Sequence, residues 1–506
     1  MTIHLSILLF FPLVLATLGA LLPRALAPGA LLVGALVALA YSVLLLFDFQ
    51  GGAAGLQYVT DDSWIEELGV RYSLGVDGLN LWLVALTTLL FAASALWIWV
   101  RPPVTERTSS AATGERTKLF AFHLGLAETA VLGALLAQDL ILFVLFFDLM
   151  LVPFYFLVGQ WGTGDRTAAT FKLVVYTLVG SLLMLAAAVA TGITAGAGPD
   201  GATSFSMAEL ASAPLGESEQ RWIFAAFALA FLIKMPAFPF HGWMPDGYRS
   251  MPLPALAVFS GVLSKVGAYG FLRVVLPTFP DAAQDFQTVI LLLALASILY
   301  GSAQAFTQTN MRLILGYSSV AQLGFITLGI FALGEAAGAQ GALLQMVNHG
   351  LVVAPLFFII ALLVERTGSE DIRDMGGVAF RAPVLSSLFL IVAFATLAMP
   401  GSANFAGEFL ILIGLFNTKL AIAVIAFTGV AMASVYMLRA YIRAMHNRVG
   451  AGVKSFDINV RDGLVLVPLV LVIIAFAVYP QQALDHSEPT VEKVVGGPQA
   501  VAGVTP

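Results

Sequence analysis

Two lysines lie inside stretches that are otherwise apolar enough to cross a lipid bilayer. Lys234 stands within 231–240 and Lys265 within 259–267, both dominated by apolar and small side chains. A charge at the centre of a membrane helix costs roughly 2.5–3.5 kcal/mol on insertion scales. Burial also makes lysine ready to release its proton at ordinary pH. The chain therefore carries groups that can hold or release a proton in the membrane interior.

Two carboxyl groups have similar settings. Asp148 lies in the strongly apolar run 143–153, and Glu408 follows a predicted helix break at 399–401. Asp148 is interpreted as a charge partner of Lys234; the alternative is a carboxyl kept neutral by a Ser or Thr of a neighbouring helix. For Glu408 the alternative is a loop carboxylate in interfacial water.

Three further side chains are candidates for moving protons. His349 lies in the middle of an apolar span, and histidine titrates near neutral pH, which suits a proton relay. An ordinary hydrogen-bonded core histidine is the alternative for His349, and for His241 the two interpretations are evenly balanced. Glu128, on the fourth predicted span, is a candidate for lining a half-channel.

Composition indicates a membrane protein. Of the 506 residues 59% are hydrophobic and only 11% are charged, against roughly 45–50% and 25% in soluble chains. The net charge of -6 argues against nucleic acid as a partner. The chain has no cysteine and its six histidines are scattered, which argues against cysteine-ligated and histidine-paired metal centres. Any redox chemistry is therefore expected on another chain.

The apolar runs predict an all-α polytopic membrane protein, because about twenty apolar residues cross a bilayer. One integral membrane domain, 1–506, is expected, and its first span is too long for a signal-peptide core, so it should be retained. About fourteen spans are predicted, near 5–23, 29–48, 79–100, 118–137, 139–160, 171–194, 221–240, 252–276, 286–307, 312–333, 341–364, 383–415, 420–440 and 462–480.

Two of these spans should be broken. Pro236 and Pro239 remove backbone donors just after Lys234, and broken helices are tolerated at membrane depth only beside protein or a water-filled cavity. The second broken span, which carries Glu408, follows five helices later. This spacing predicts two inverted five-helix repeats, at 118–276 and 286–440. The N-terminal helices of 1–117 precede them and the last helix, 462–480, follows them.

Positive charge predicts the orientation. With the N-terminus outside, 17 of the 24 Lys and Arg fall on the cytoplasmic side and five outside, the remaining two being Lys234 and Lys265. Cytoplasmic loops of membrane proteins carry such an excess. Both termini are therefore expected on the periplasmic or exterior side of a bacterial cell membrane.

Several motifs together resemble one family, the antiporter-like membrane subunits of respiratory complex I. The similarity runs in order along nearly the whole chain, and the motifs are specific as a set. They lie at 75–80, 148–153, 234–246, 264–273, 345–350 and 405–409.

The resemblance implies a proton-translocating module coupled to quinone reduction by NADH. It implies that Asp148 pairs with Lys234, that Lys265 is the central relay, and that His349 and Glu408 lead to the exit side. No cofactor is expected in this chain: NADH, FMN, iron–sulfur clusters and quinone would lie on partner subunits. The expected partners are the other complex I membrane subunits, especially neighbouring antiporter-like ones, and the lipid bilayer.

The chain departs from the family pattern in three places. Asp148 stands where Glu is usual, so its pair with Lys234 is expected to be longer or bridged by water. Gln322 stands where some relatives have a relay histidine; it can hold a water but cannot titrate. The usual second histidine after Asp246 is missing.

Two other interpretations stay open. One is a subunit of a multisubunit sodium/proton antiporter or of a membrane-bound hydrogenase, which share much of the lysine and proline pattern. The other is a free-standing solute transporter, against which stands the lack of a convergent polar cluster in the sequence.

Overall fold

The computed structural model describes residues 4–102, 110–213, 215–450 and 452–496, and these are mostly helical. The helices are α1 (Leu5–Leu21), α2 (Ala27–Asp48), α3 (Leu81–Val100), α4 (Ser110–Leu136), α5 (Leu140–Leu149), α6 (Leu151–Trp161), α7 (Arg166–Ala195), α8 (Met207–Ser212), α9 (Glu217–Lys234), α10 (Met244–Ser250), α11 (Leu253–Val258), α12 (Ser264–Gly270), α13 (Leu276–Thr278), α14 (Pro280–Thr307), α15 (Met311–Ile330), α16 (Ala336–Thr367), α17 (Pro383–Ala395), α18 (Ala403–Thr418), α19 (Leu420–Met445), α20 (Val460–Val478) and α21 (Gln481–Gly496).

Eleven segments of the described residues are long and apolar enough to cross a membrane, and three shorter apolar helices, α1, α17 and α18, accompany them. Their packing differs sharply. The stretch Met311–Ile330 is wholly buried inside the protein and Leu253–Thr278 almost wholly, whereas only about a third of Ala27–Asp48 and of Leu420–Met445 is buried. Apolar side chains exposed on the outer helices suit contact with lipid. The inner helices carry Lys265 and Gln322.

One part of the fold is not helical, so the all-α prediction is wrong in this detail. Residues of the predicted polar connection 49–78 form an antiparallel hairpin of β1 (Gln57–Ile65) and β2 (Val70–Val76). Val and Tyr residues favour strands, and Gly69 takes a left-handed conformation with φ of 69° between the strands. The C-terminal helix α21 was also missed, because its polar composition does not resemble a span.

Three interruptions of the helices lie near the candidate residues. Helix α9 ends at Lys234, six residues before the predicted end of that span, and the predicted span 383–415 is two helices separated at 396–402. A third interruption, at Met150 between α5 and α6, was not predicted. Pro153 explains it, because its ring lacks the N–H that would bond the carbonyl of Leu149. Asp148 thus lies beside a loosened turn of one span, Leu140–Trp161, in which Met150 keeps helical backbone angles.

The segment that carries Lys265 is wound irregularly. Two π-helical turns, Phe259–Leu263 and Phe271–Val275, flank α12. Single π turns within α-helices are uncommon and occur often at functional sites, because they redirect side chains and loosen the regular backbone pairing. Lys265 lies two residues after the end of the first of these turns.

Candidate functional site

Lys234 occupies the last position of α9 and is 7% exposed. Its Nζ donates to the main-chain carbonyl of Phe147 over 3.4 Å and lies 4.6 Å from the centroid of the Phe147 ring. The C-terminal end of a helix carries partial negative charge, which favours a nearby cation. The carbonyl, the ring and the helix end together offset part of the cost of burying the ammonium group.

The end of α9 is closed by specific donors. The indole Nε1 of Trp243 donates to the carbonyl of Ile233 over 3.0 Å, and the N–H of Ala237 donates to the carbonyl of Leu232 over 2.9 Å. Trp243 is fully buried. Because buried carbonyls at a helix end need donors, these contacts make an ordered terminus at Lys234.

Asp148 is the second-last residue of α5, three residues before α6 begins; it is partly buried, and the side chain of Ser181 on α7 lies nearby. Its charge interacts with Lys234, yet among the described residues the two make no ion pair within 4.0 Å. The longer pair suits the shorter Asp side chain. The Ser181 contact also fits the alternative of a neutral carboxyl, so the geometry leaves both interpretations of Asp148 in place.

The contact between the helices of the two lysines is apolar. A Cβ on Gly267 would meet the side chain of Met235 at 2.8 Å, and one on Gly270 would meet the ring of Phe231 at 2.4 Å. These glycines therefore let α12 approach α9 closely. A proton passing from Lys234 to Lys265 would need water or a rearrangement of these apolar side chains.

Lys265 is 1% exposed and its Nζ donates to the carbonyl of Ser260, inside the first π turn. The Ser260 hydroxyl in turn lies 3.3 Å from that of Ser319 on α15. His349 on α16 is close enough to Lys265 for their charges to interact. The structure thus places Lys265 and His349 within range of each other's charge, while the relay roles that the resemblance implies for them stay predictions.

His349 borders a small internal cavity of about 10 Å³ that is also lined by Ser318, Gln322 and Asn404. This is space for about one water molecule. Within the described chain, Nδ1 of His349 has no hydrogen-bond partner. A water in such a cavity could bond the histidine and an amide, which makes a short path from α16 towards α15 and α18.

Glu408 lies on α18 and is held by two amides. Its Oε1 accepts from Nε2 of Gln322 over 2.9 Å and from Nε2 of Gln345 over 3.4 Å. Gln345 Nε2 also donates to Gln322 Oε1 over 2.7 Å. Glu408 is 2% exposed, so it is a buried carboxyl and the loop alternative is wrong.

Two candidates stand apart from these groups. Glu128 on α4 is fully buried, and neither of its carboxyl oxygens has a partner in the described part of the protein. His241 lies in the irregular segment after Lys234 among aromatic rings, with centroid distances of 4.9 Å to Tyr300 and 6.2 Å to Tyr317. Across residues 4–102, 110–213, 215–450 and 452–496, no hydrogen bond or ring contact joins either residue to the lysines.

Several residues of the site were missed by sequence reasoning. Each of these residues lies four positions before a candidate: Gln345 before His349, Asn404 before Glu408, and Ser318 before Gln322. Residues at i and i+4 share one face of a helix, so this spacing was a usable signal. Ser181 and the Phe147 carbonyl carry no such signal, because their approach depends on tertiary packing.

The described residues hold no group of three or more His, Asp or Glu side chains suited to a metal ion. What they hold instead is a series of buried titratable and amide groups beside interrupted helices. The fold and this site define a class of polytopic membrane protein with ionisable side chains within the bilayer.

Comparisons with known proteins agree with this class. Residues 137–459 match the family described as NADH:quinone oxidoreductase/Mrp antiporter, TM. The chain is 36% identical to NADH-quinone oxidoreductase subunit M of Mycobacterium tuberculosis, over 97% of this chain and 94% of that protein.

Solved structures share the fold. A chain of respiratory complex I from Thermus thermophilus superposes with a TM-score of 0.87 at 30% identity, covering 98% of this chain and 100% of that one. A chain of the Mrp complex from Dietzia has a TM-score of 0.82 at 21% identity, covering 98% of each chain, and shows the fold alone. The chain belongs to the NADH:quinone oxidoreductase/Mrp antiporter membrane family, and the resemblance stated from its motifs is confirmed.

Proposed function

We propose that the chain is a proton-translocating membrane subunit of an NADH-quinone oxidoreductase, coupling electron transfer from NADH to quinone with proton transport across the membrane. The observation that carries this proposal is a series of titratable side chains on adjoining helices. They are the partly buried Asp148 and the buried Lys234, Lys265, His349 and Glu408. Such groups are costly in a bilayer and mark proton paths. The 36% identity to a subunit M along 97% of the chain supports the same assignment.

The proposed mechanism uses the pair of Asp148 and Lys234 as a switch. An ionised Asp148 favours the charged form of Lys234, and when the pair separates, burial favours loss of the lysine proton. The proton would then move towards Lys265, from there to His349, and across the small cavity to Glu408. Gln322 holds water or the carboxylate in place but cannot itself titrate.

Fourteen spans are proposed for the topology, with α9 and the broken pair α17 and α18 counted among them. Hydrogen bonds between connections support an alternating arrangement, because the connections fall into two separate sets. The first set consists of the hairpin region, the start of α5, the 203–207 segment and α21. Its hydrogen bonds run from Arg71 to Asp139, from Leu140 to Phe205 and from Gly78 to Thr490. The other joins the opposite connections, through Thr163 to Ser250, Met311 to Glu370, Gly377 to His446 and Arg101 to Asp462.

The second set contains most of the positively charged loops, so it is proposed to face the cytoplasm, with both termini outside. The five-helix units near 118–276 and 286–440 are proposed as inverted repeats. Their support is that each contains a helix interrupted beside an ionisable residue, Lys234 in the first and Glu408 in the second.

The redox groups are proposed to lie on other subunits. This chain has no cysteine for iron–sulfur ligation, and its exposed outer helices offer apolar faces for lipid and for neighbouring membrane subunits. NADH, FMN, iron–sulfur clusters and quinone are therefore assigned to its partners, and the neighbouring antiporter-like subunits are the proposed contacts.

Purification from the native membrane tests this function. A tag on the chain should bring with it the other complex I subunits and NADH dehydrogenase activity that depends on quinone. Co-purification with the subunits of a sodium/proton antiporter or a hydrogenase, without NADH oxidation, would assign the chain to the alternative complex. As a positive control, a tag on a known complex I subunit should recover the intact complex from the same membranes. Recovery of this chain alone under those conditions would contradict a role as a subunit.

A further inference from the structure

We infer that Gln345 is a positioning residue for Glu408, one that holds one carboxyl oxygen and leaves the other as the site at which a proton binds. The inference rests on the proposed function, since it concerns the carboxyl at the exit end of that path. It adds Gln345 to Gln322, His349 and Glu408, the three residues at this end of the path that the sequence analysis named.

The hydrogen bonds are asymmetric about the carboxyl group. Both amide donors, Nε2 of Gln322 and Nε2 of Gln345, point at Oε1 of Glu408. Within the described helices, Oε2 of Glu408 has no hydrogen-bond partner. An oxygen that already accepts two N–H groups is a poor place for a further proton, whereas Oε2 is free to accept one.

The two amides also fix each other. Gln345 Nε2 donates to Gln322 Oε1 over 2.7 Å, so the carbonyl of Gln322 is occupied and its Nε2 must face Glu408. The three residues come from three helices, α15, α16 and α18, and all are at most 3% exposed. Buried networks of this kind hold one arrangement strongly, because each lost bond leaves a buried polar group unpaired.

The residue before Glu408 makes room for this arrangement. A Cβ on Gly407 would lie 2.5 Å from Oε1 of Gln345 and 3.1 Å from its Cα. Because side chains at that separation cannot coexist, any larger residue at 407 would displace the Gln345 amide. The glycine therefore has a steric role tied to Gln345, and the pair can be tested together.

Removing the amide tests the inference. Gln345→Met keeps the volume and the unbranched shape but removes the donor, while Gln345→His restores an N–H. Loss of one donor to a carboxylate disfavours its ionised form, so the pH profile of proton uptake per NADH should move to higher pH by roughly one unit in Gln345→Met. Gln345→His should move part of the way back.

A matched control is Gln287→Met on α14, away from Glu408. Nε2 of Gln287 donates to the main-chain carbonyl of Phe331 over 2.9 Å, so this variant also removes a hydrogen-bonded amide. Its pH profile should coincide with that of the parent. Among the described helices packed on α18, two titratable side chains lie on this side of Glu408. Tyr436 of α19 is close enough to interact electrostatically with the carboxylate, and His349 of α16 borders the cavity that Gln322 and Asn404 also line. Neither is changed in these variants.

A second variant keeps the inference testable if Gln345→Met does not assemble. Gly407→Ala should shift the profile in the same direction, and the double variant should shift it less than the sum of the two, because both act on one contact. An unshifted profile in assembled Gln345→Met, or a control that shifts equally, overturns the inference. That result would leave the proposed function standing, provided that the complex still pumps protons.

Discussion

Replacing Lys234 by alanine should remove most proton pumping while NADH oxidation with an artificial acceptor at the redox subunits continues. In the protein the protonated lysine gains a charge-assisted hydrogen bond to the Phe147 carbonyl and a contact with the Phe147 ring. These contributions are about 1.5–3 and 0.5–2 kcal/mol. A proton that crosses this point without them meets a barrier higher by about 2–5 kcal/mol, a slowing of at least about thirtyfold.

Assembly should survive the substitution. The variant loses those contacts but no longer buries an ammonium group, whose desolvation costs several kcal/mol. The assay is proton uptake per NADH oxidised in inverted membrane vesicles, normalised to assembled complex. Lys172→Ala is the matched control, because Lys172 is half exposed and pairs with Asp246 at 2.5 Å. An exposed pair of this kind contributes little, so this control should pump like the parent.

Lys234→Arg separates charge from proton release. Arginine keeps the positive charge but does not give up its proton in proteins, so this variant should pump no better than Lys234→Ala. Parental pumping by an assembled Lys234→Ala variant would refute the relay role. Parental pumping by Lys234→Arg would show that a fixed positive charge is sufficient there.

Three further predictions concern neighbouring positions, the first two measured by the same uptake assay. Asp148→Asn should be severely impaired and Asp148→Glu should keep substantial activity, whereas full activity of the Asn variant would make Asp148 a neutral structural carboxyl. Gln322→Ala should cost less than His349→Ala, and Gln322→His should be tolerated, because water replaces an amide more easily than a titrating ring; the reverse order would show that the path avoids His349. Trp243→Phe should lower stability by roughly 1 kcal/mol, since it leaves a carbonyl at the end of α9 unpaired, and an unchanged thermal midpoint of the purified complex would contradict this.

Much of the fold was predictable from local sequence, because apolar length and proline position act over short stretches. The approximate positions of the spans and the interruptions at Lys234 and before Glu408 follow from such signals. The hairpin of β1 and β2 was missed because a short amphipathic strand pair is hard to separate from a polar loop. The loosened turn at Met150 has no clear signal in the sequence, because proline is tolerated within membrane helices.

The site was predictable in its residue types but not in its contacts. Lys234, Lys265 and Glu408 were identifiable because a charged residue within an apolar run is costly at membrane depth and marks a functional site. Their immediate partners, such as the Phe147 carbonyl for Lys234 and the Ser260 carbonyl for Lys265, depend on how helices far apart in sequence pack. Sequence reasoning alone could not supply those approaches, since backbone carbonyls have no residue signature.

The central claim is that protons cross through buried side chains at the middle of this chain, and Lys265 lies at the centre of that path. The most direct test is the number of protons taken up per NADH oxidised by purified, reconstituted complex that carries Lys265→Met, compared with the parent at equal assembly. The account predicts that this ratio falls, together with the rate of quinone reduction coupled to it. An unchanged ratio at an unchanged rate, in fully assembled complex, would contradict the account.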